Sequence, residues 1–341
     1  MTNSRKSKSK TSCGIIDKIW SKHYELNFCF LCGVKFNRRI SSEEHVFPKW
    51  LQEKYNLWNQ RVVLLNNTKI SYRYLKIPCC SNCNKKSLSK IENKIKRYSK
   101  RNFRLIKKID KKILFYWLGK ILYGILYKEM FLSSKRSDPK ASSILSPEFL
   151  QRSKAHLLLL QGIRIKHEFD CFFPASLFFF ETQLPAKVEE QWDFMDFYPG
   201  LGIAVRLGRT GIVAVMQDGG VQESFRNTLK DFYSVPLHPL QFREVSSLIF
   251  YRSSLFNRTP KFISSENGQK IKTFLIPLQG LSKKPLFDDW DTGDYAQVLS
   301  TYVGLPKEAI NPSTNEVMSW ISDENDKVIF MDIKKYPLPW V

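Results

Sequence analysis

Hydrophobic residues change their rhythm along the chain, and each rhythm predicts a different kind of element. From Ser87 the run SLSKIENKIKRYSKRNFRLIKKIDKK places apolar residues at Leu88, Ile91, Ile95, Tyr98, Phe103, Ile106 and Ile109. Steps of three and four residues lay one apolar stripe along a helix, and lysines and arginines fill its other face. The pattern continues or restarts through Phe115, Leu118, Ile121, Leu122, Ile125 and Leu126. Ile113 to Tyr127 comes nearest to a membrane span, but it is only about fifteen residues long with Lys120 in the middle. A bilayer demands roughly 20 apolar residues, so a buried or interface helix is expected instead. The polar stretch SSKRSDPKASS, Ser133 to Ser143, reads as the linker that ends it.

Beyond that point the character changes. HLLLLQGIRIKHEFDCFFPASLFFFETQL and GIAVRLGRTGIVAVMQDG are short apolar runs broken by Gly, Pro and Asp, the pattern of strands and turns in a buried sheet. LGRTGIVAV reads as a hairpin. Gly200 and Gly202 lack the third glycine and the following helix of a dinucleotide site, and so count as a hairpin signal. The run DFYSVPLHPLQFREVSSLIFYRSSLF predicts a helix from about Leu240 to Phe256. At the other end, Met1 to about Thr11 alternates Lys and Arg with Ser and holds nothing apolar to anchor it. The expected fold class is therefore α+β: a basic disordered tail at 1–12, a cysteine-bearing module at 13–100, a helical connector and linker at 101–143, and a mixed α/β domain at 144–341.

Composition adds an asymmetry of charge. The chain has 341 residues, 43% of them hydrophobic, with a formal charge of +22. That length can bury one full core or two. Met1 to Lys112 holds 28 Lys and Arg against 7 Asp and Glu, while the remainder is nearly balanced. A one-sided excess of this kind is the footprint of a polyanion partner such as nucleic acid, with a solvated basic face or an anionic lipid surface as the bland alternatives. The seven cysteines are odd in number and five fall in two tight clusters, which argues against a secreted disulfide framework and for a reducing compartment with a thiolate-bound metal. The basic, polar N-terminus shows no signal-peptide core, so a cytoplasmic protein without membrane attachment is expected.

The clusters are CFLC, with Cys29 and Cys32, and CSNC, with Cys80 and Cys83. Each two-residue spacer lets both sulfurs of a pair face one ion, and four thiolates in a tetrahedron are what a structural zinc takes. Cys79 competes with Cys80 as a ligand, although only Cys80 keeps the spacing to Cys83. The long gap between the pairs requires an insertion, expected at Asn56 to Tyr74. Cys13 and Cys171 read as plain core or exposed thiols.

Between the pairs stands SSEEHVFPKW, Ser41 to Trp50. The order CFLC, then EEHVFPKWL, then CSNCNKKSLSKIE resembles the HNH endonuclease family, in its zinc-stapled subgroup with an Asp/Glu-His-x-x-Pro block and a final C-x2-C-Asn. The likeness covers about Cys29 to Glu92, less than a quarter of the chain. It implies a ββα-metal module that cuts phosphodiester bonds of DNA, with RNA left open. It further implies His45 as general base and Glu44 with Asn84 as holders of a catalytic Mg²⁺ or Mn²⁺. For the middle asparagine that orients the histidine it implies Asn66 or Asn67, with Asn67 as the candidate. Members of the family with an extra domain often belong to bacterial or phage conflict systems such as restriction, so the domain beyond Ser143 is expected to select the target or hold a protein partner.

The chemistry makes sense of the same residues independently. A phosphodiester needs a cation on the scissile phosphate and a base near neutrality for the water, and a histidine supplies the second. Mg²⁺ keeps several waters and takes one or two protein oxygens, while sulfur suits it badly, so the thiolates belong to a separate zinc. Successive residues of a strand point to opposite faces, so Glu44 and His45 can share one metal only if the strand ends or twists there. Glu43 can stand in for Glu44. Lys85, Lys86, Lys90, Lys94 and Arg97 follow Asn84 and are candidate phosphate contacts, or a solvated helix face. Trp50 and Trp58 read as core of the small module, and His23, His156, His167 and His238 as structural. The competing functions are a catalytically silent zinc-ribbon that binds nucleic acid and, least favoured, a membrane-associated scaffold.

Overall fold

The computed structural model describes residues 14–20, 26–37, 39–100, 103–267, 270–276, 278, 282–313, 316–325 and 327–338. The basic tail, Cys13 and His23 lie outside the described residues. The chain is α+β, with helices and several small sheets.

A short helix α1, Ile15–Trp20, precedes the first cysteine pair. Strand β1, Ser41–His45, leads into α2, Lys49–Lys54, and then into a small hairpin of β2, Arg61–Val63, and β3, Lys69–Ser71. Strand β4, Lys76–Cys80, returns antiparallel to β1, with Ser41 opposite Cys80 and His45 opposite Lys76. The expected insertion, Asn56 to Tyr74, thus holds the β2–β3 hairpin, hung between two paired strands with α2 just before it. Cys83–Leu88 winds as a π turn, and α3, Ser89–Tyr98, continues from it.

The apolar stripe expected to run on through Ile109 is broken into α3, a single turn α4, Phe103–Ile106, and α5, Lys111–Glu129. Asp110 starts α5 by accepting the Lys112 N–H at 2.8 Å, satisfying one of its orphan donors. Every residue of α5 from Leu114 to Tyr127 is buried. The expected connector is therefore the central helix of the molecule. The expected linker, Ser133 to Ser143, is a hairpin of β5, Ser133–Lys135, and β6, Asp138–Ser143. Its polarity marks a solvent-exposed ribbon, and a ladder needs only backbone groups to form.

Helix α6, Pro147–Leu159, is capped by Ser146, and the chain then enters β7, Lys166–Asp170, and β8, Ala175–Glu181. Strands β9, Trp192–Phe197, β10, Gly202–Leu207, and β11, Thr210–Met216, complete an antiparallel sheet in the order β8-β11-β10-β9. Helix α7, Pro239–Ser254, is followed by β12, Lys261–Glu266, and β13, Lys270–Ile276, which join β7 in a three-stranded sheet. Helices α8, Thr292–Val303, and α9, Lys307–Ile310, close the described chain.

The four-stranded sheet lies between two layers. Leu177, Phe179, Ile203, Val205, Ile212 and Ala214 point into the core that holds α5, while Phe178, Phe180, Ala204, Val213 and Val215 meet Phe242, Val245, Ile249 and Phe250 of α7. Burial on both faces explains why these strands read as unbroken apolar runs instead of alternating ones. The α5 core runs without a break from Ile19 to Ile271, so no gap in packing separates the cysteine-bearing segment from the sheet. Gly124 permits the close approach of α5 to the exit of β1, since a Cβ there would sit 2.8 Å from Val46 Cγ2. Among the described residues no helix is long and apolar enough to cross a membrane.

Candidate metal centre and active site

Cys29, Cys32, Cys80 and Cys83 converge, with their sulfurs all within 4.8 Å of one another. The Cys32 and Cys80 sulfurs are 3.7 Å apart. A tetrahedron with metal–sulfur distances of about 2.3 Å has edges of about 3.8 Å, whereas a disulfide requires about 2.05 Å. The set fits a bound metal ion and is compatible with a structural zinc. Cys80 supplies the fourth sulfur, and Cys79 stays outside, its buried thiol turned toward the Cys80 carbonyl at 3.6 Å.

Local sequence builds this cluster. Gly33 takes φ +71 and returns its N–H to the Cys29 carbonyl at 2.9 Å, closing the first turn with a conformation that glycine adopts freely. The Cys83 N–H points at the Cys80 sulfur at 3.4 Å, closing the second. From the 3₁₀ turn that follows α6, Gln161 donates to the Leu31 carbonyl at 3.0 Å and holds the first turn against the core. Hydrogen bonds among the thiols pull Cys29 far below the usual thiol range and push Cys32 up to about 11.

Strand β1 delivers Glu44 and His45 to opposite faces. Glu44 is 5% exposed and meets the Lys120 ammonium of α5 at 2.5 Å. That ammonium also bonds Glu92 at 2.9 Å and the carbonyls of His45 and Val46 at 2.8 and 3.2 Å. Burial pushes the Glu44 carboxyl up to about 7, with Lys120 pulling the other way and Glu92 adding to the rise. Burial alone would lower Lys120, but the two carboxylates outweigh it and hold the ammonium above its ordinary value.

On the other face, the half-buried His45 ring leaves its Nε2 buried with no hydrogen-bond partner. Burial first, then Lys76 and Lys49, lower its pKa to about 4, so the imidazole is neutral at physiological pH. Glu43 lies on this face, 65% exposed at its side chain and 3.1 Å from the Lys76 ammonium. Asn84, in the π turn, latches onto the same strand by donating to the Glu43 carbonyl at 2.9 Å and to Ser42 Oγ at 3.1 Å.

His45 is the last residue of β1 and is paired with Lys76. Glu44 is taken up by Lys120 on the inner side of the strand. Glu43 shares the His45 face of the strand, while Asn84 is tied to the strand at the Glu43 carbonyl and at Ser42 Oγ. Asn66 and Asn67 serve the β2–β3 turn: Asn67 takes φ +61, while Asn66 accepts from the Thr68 N–H at 3.2 Å and donates to the Ser133 carbonyl at 3.1 Å. Neither asparagine fills the vacancy at His45 Nε2. Lys85, Lys86, Lys90, Lys94 and Arg97 are all exposed, on the π turn and α3.

Trp50 is buried as expected, but Trp58 is 40% exposed, its ring 6.2 Å from that of His45 at an interplanar angle of 30°. The remaining described histidines have structural partners: His156 at the Gly119 carbonyl, His167 at Thr273, and His238 capping α7. Sequence reasoning missed Lys120 and Glu92. A lone lysine inside an apolar helical run was the available signal, since lysine is almost never fully buried without a partner.

No protein-family model, curated protein or solved structure matches this chain.

Proposed function

We propose that the chain is a metal-dependent endonuclease of the HNH type that hydrolyses phosphodiester bonds of DNA. One observation carries the reading: His45, with an unpartnered buried Nε2, sits at the end of a strand to which Asn84 is latched, directly beyond a four-cysteine cluster. In this reading the cysteines hold zinc and lock the end of β4 to the start of the basic helix. The neutral His45 imidazole takes a proton from the attacking water. Glu43 and Asn84 would hold a Mg²⁺ or Mn²⁺ ion, which supplies positive charge at the scissile phosphate when bound. Exposed Lys85, Lys86, Lys90, Lys94 and Arg97 lie along the flanking phosphates, and the region beyond Ser143 selects the target or holds a protein partner.

The test is incubation of the purified chain with supercoiled plasmid and Mg²⁺ or Mn²⁺, beside EDTA and His45→Ala controls. Nicking or linearisation that needs both the metal and His45 is expected. A second reading, a silent zinc-bearing module that binds nucleic acid, draws on the capture of Glu44 by Lys120. DNA shifted in a gel but left uncut by wild-type protein under every metal condition would decide for it.

A further inference from the structure

We infer that Trp58 and Tyr74 form a stacking rim beside His45, and that DNA reaches this site as a single-stranded stretch with unpaired bases. The inference rests on the nuclease reading and names its substrate class. Trp58 is 40% exposed and Tyr74 is 59% exposed, although large aromatic rings are costly to leave in water. His45 covers Trp58 only from one side, at 6.2 Å and 30°. The Tyr74 ring is two residues ahead of Lys76, the residue opposite His45 in the β1–β4 ladder.

The two aromatic segments run side by side. Arg73 Nη1 donates to Asn59 Oδ1, and the Tyr72 N–H donates to the Gln60 carbonyl at 3.0 Å. These bonds join the loop that carries Trp58 to the turn that carries Tyr74. The Arg73 guanidinium lies 4.7 Å over the Tyr74 ring, which puts a cation on the rim as well. Lys49 and Lys76 flank His45, the first at the start of α2 and the second across the ladder. Exposed aromatics interleaved with cations are the elements of a single-strand groove: the cations follow the backbone and the rings stack on bases. A duplex offers no base faces to such a rim, because each is covered by its neighbours.

The deciding experiment measures binding of the full chain, without added Mg²⁺ or Mn²⁺, to a labelled single-stranded oligodeoxynucleotide and to the duplex of the same sequence. Stacking on one base is worth roughly 1–3 kcal/mol, so Trp58→Ala should weaken single-strand binding by about 5- to 100-fold. Duplex binding should move less than about twofold, and Trp58→Phe should keep most of the single-strand affinity. Because Trp58 is exposed, its replacement should leave the melting temperature close to wild type, which the same samples can show. Equal losses on both probes, or an unchanged single-strand affinity in Trp58→Ala, would overturn the inference. The two ideas separate cleanly. Trp58-dependent single-strand binding by a chain that, with Mg²⁺ or Mn²⁺, cuts neither plasmid nor the single-stranded oligodeoxynucleotide rejects the hydrolytic reading and keeps the rim. Metal-dependent cleavage that Trp58→Ala leaves unaltered on single strands and duplexes rejects the rim and keeps the hydrolytic reading.

Discussion

The two faces of β1 carry charge and polarity in opposite ways. On the inner face Glu44, Lys120 and Glu92 are enclosed and bonded to one another, with the His45 and Val46 carbonyls completing the ammonium's partners. On the outer face His45 Nε2 has no partner, and Glu43 and Trp58 stand open to water. Residues adjacent in sequence have thus been separated into different environments by nothing more than the two-residue period of a strand. An enclosed charge with all its partners is hard to exchange, because removing one strands the others. An unmet polar atom costs roughly 1–3 kcal/mol, and in a native structure it calls for an explanation such as a site for chemistry. In the nuclease reading the inner face is scaffold and the outer face is where the substrate would act.

Disruption of the four-cysteine cluster should break both faces at once, and this is the largest effect expected. Cys80 ends β4 and Cys83 opens the turn that presents Asn84, so the strand pair and the helix depend on the same four sulfurs. Structural zinc contributes on the order of 10 kcal/mol, comparable to the whole stability of a domain. Cys83→Ser, or prolonged chelation, should abolish a cooperative melt monitored by circular dichroism, and the purified wild type should carry about one zinc per chain by elemental analysis. Soluble Cys83→Ser protein with full zinc and a wild-type melt would remove the metal from this account.

The next effect belongs to the inner face alone. Lys120→Met leaves two carboxylates without their cation, and breaking a buried pair in this way costs roughly 3–5 kcal/mol. A double variant, Lys120→Met with Glu44→Gln, should recover part of that loss, because one of the stranded charges is gone. Urea denaturation of the two proteins beside wild type gives the comparison. Equal midpoints for wild type and Lys120→Met would show that the triad is not scaffold.

Much of this arrangement was legible before any coordinates, for reasons that differ from residue to residue. The two-residue spacers of the cysteine pairs are local geometry, so the four clustered cysteines were legible from spacing, while the choice between Cys79 and Cys80 stayed open until the sulfurs were placed. The helix expected at Leu240 to Phe256 is found at Pro239–Ser254, where a proline in the first turn and the His238 cap mark its start. The buried hairpin of β10 and β11 was equally plain from its apolar runs. Contacts between distant residues were not legible. Lys120 meets the His45 carbonyl across 75 residues, and nothing near Glu44 announces that partner. The sequence context of Trp58 suggested core, but the hairpin and turn that follow it leave the ring at the surface. Ser133 to Ser143 looked like a linker because an exposed ribbon and a linker share the same polar composition.

The smallest change in stability should come from His45, the residue to which the nuclease reading gives the largest consequence for activity. His45→Ala removes a ring whose burial is partial and whose Nε2 is already unsatisfied, so little favourable hydrogen bonding is lost with it. What disappears is contact with Trp58, and what is relieved is the penalty of the orphaned nitrogen. These oppose each other, and the net shift in unfolding free energy should stay within about 1 kcal/mol in either direction. Loss of a general base, by contrast, should slow plasmid cleavage by about 10²- to 10⁴-fold. Denaturation and cleavage measured on the same preparation would show whether the outer face trades stability for chemistry. A His45→Ala protein that unfolds several kcal/mol sooner would instead place the histidine with Glu44 among the scaffold, and the contrast between the two faces of β1 would fall.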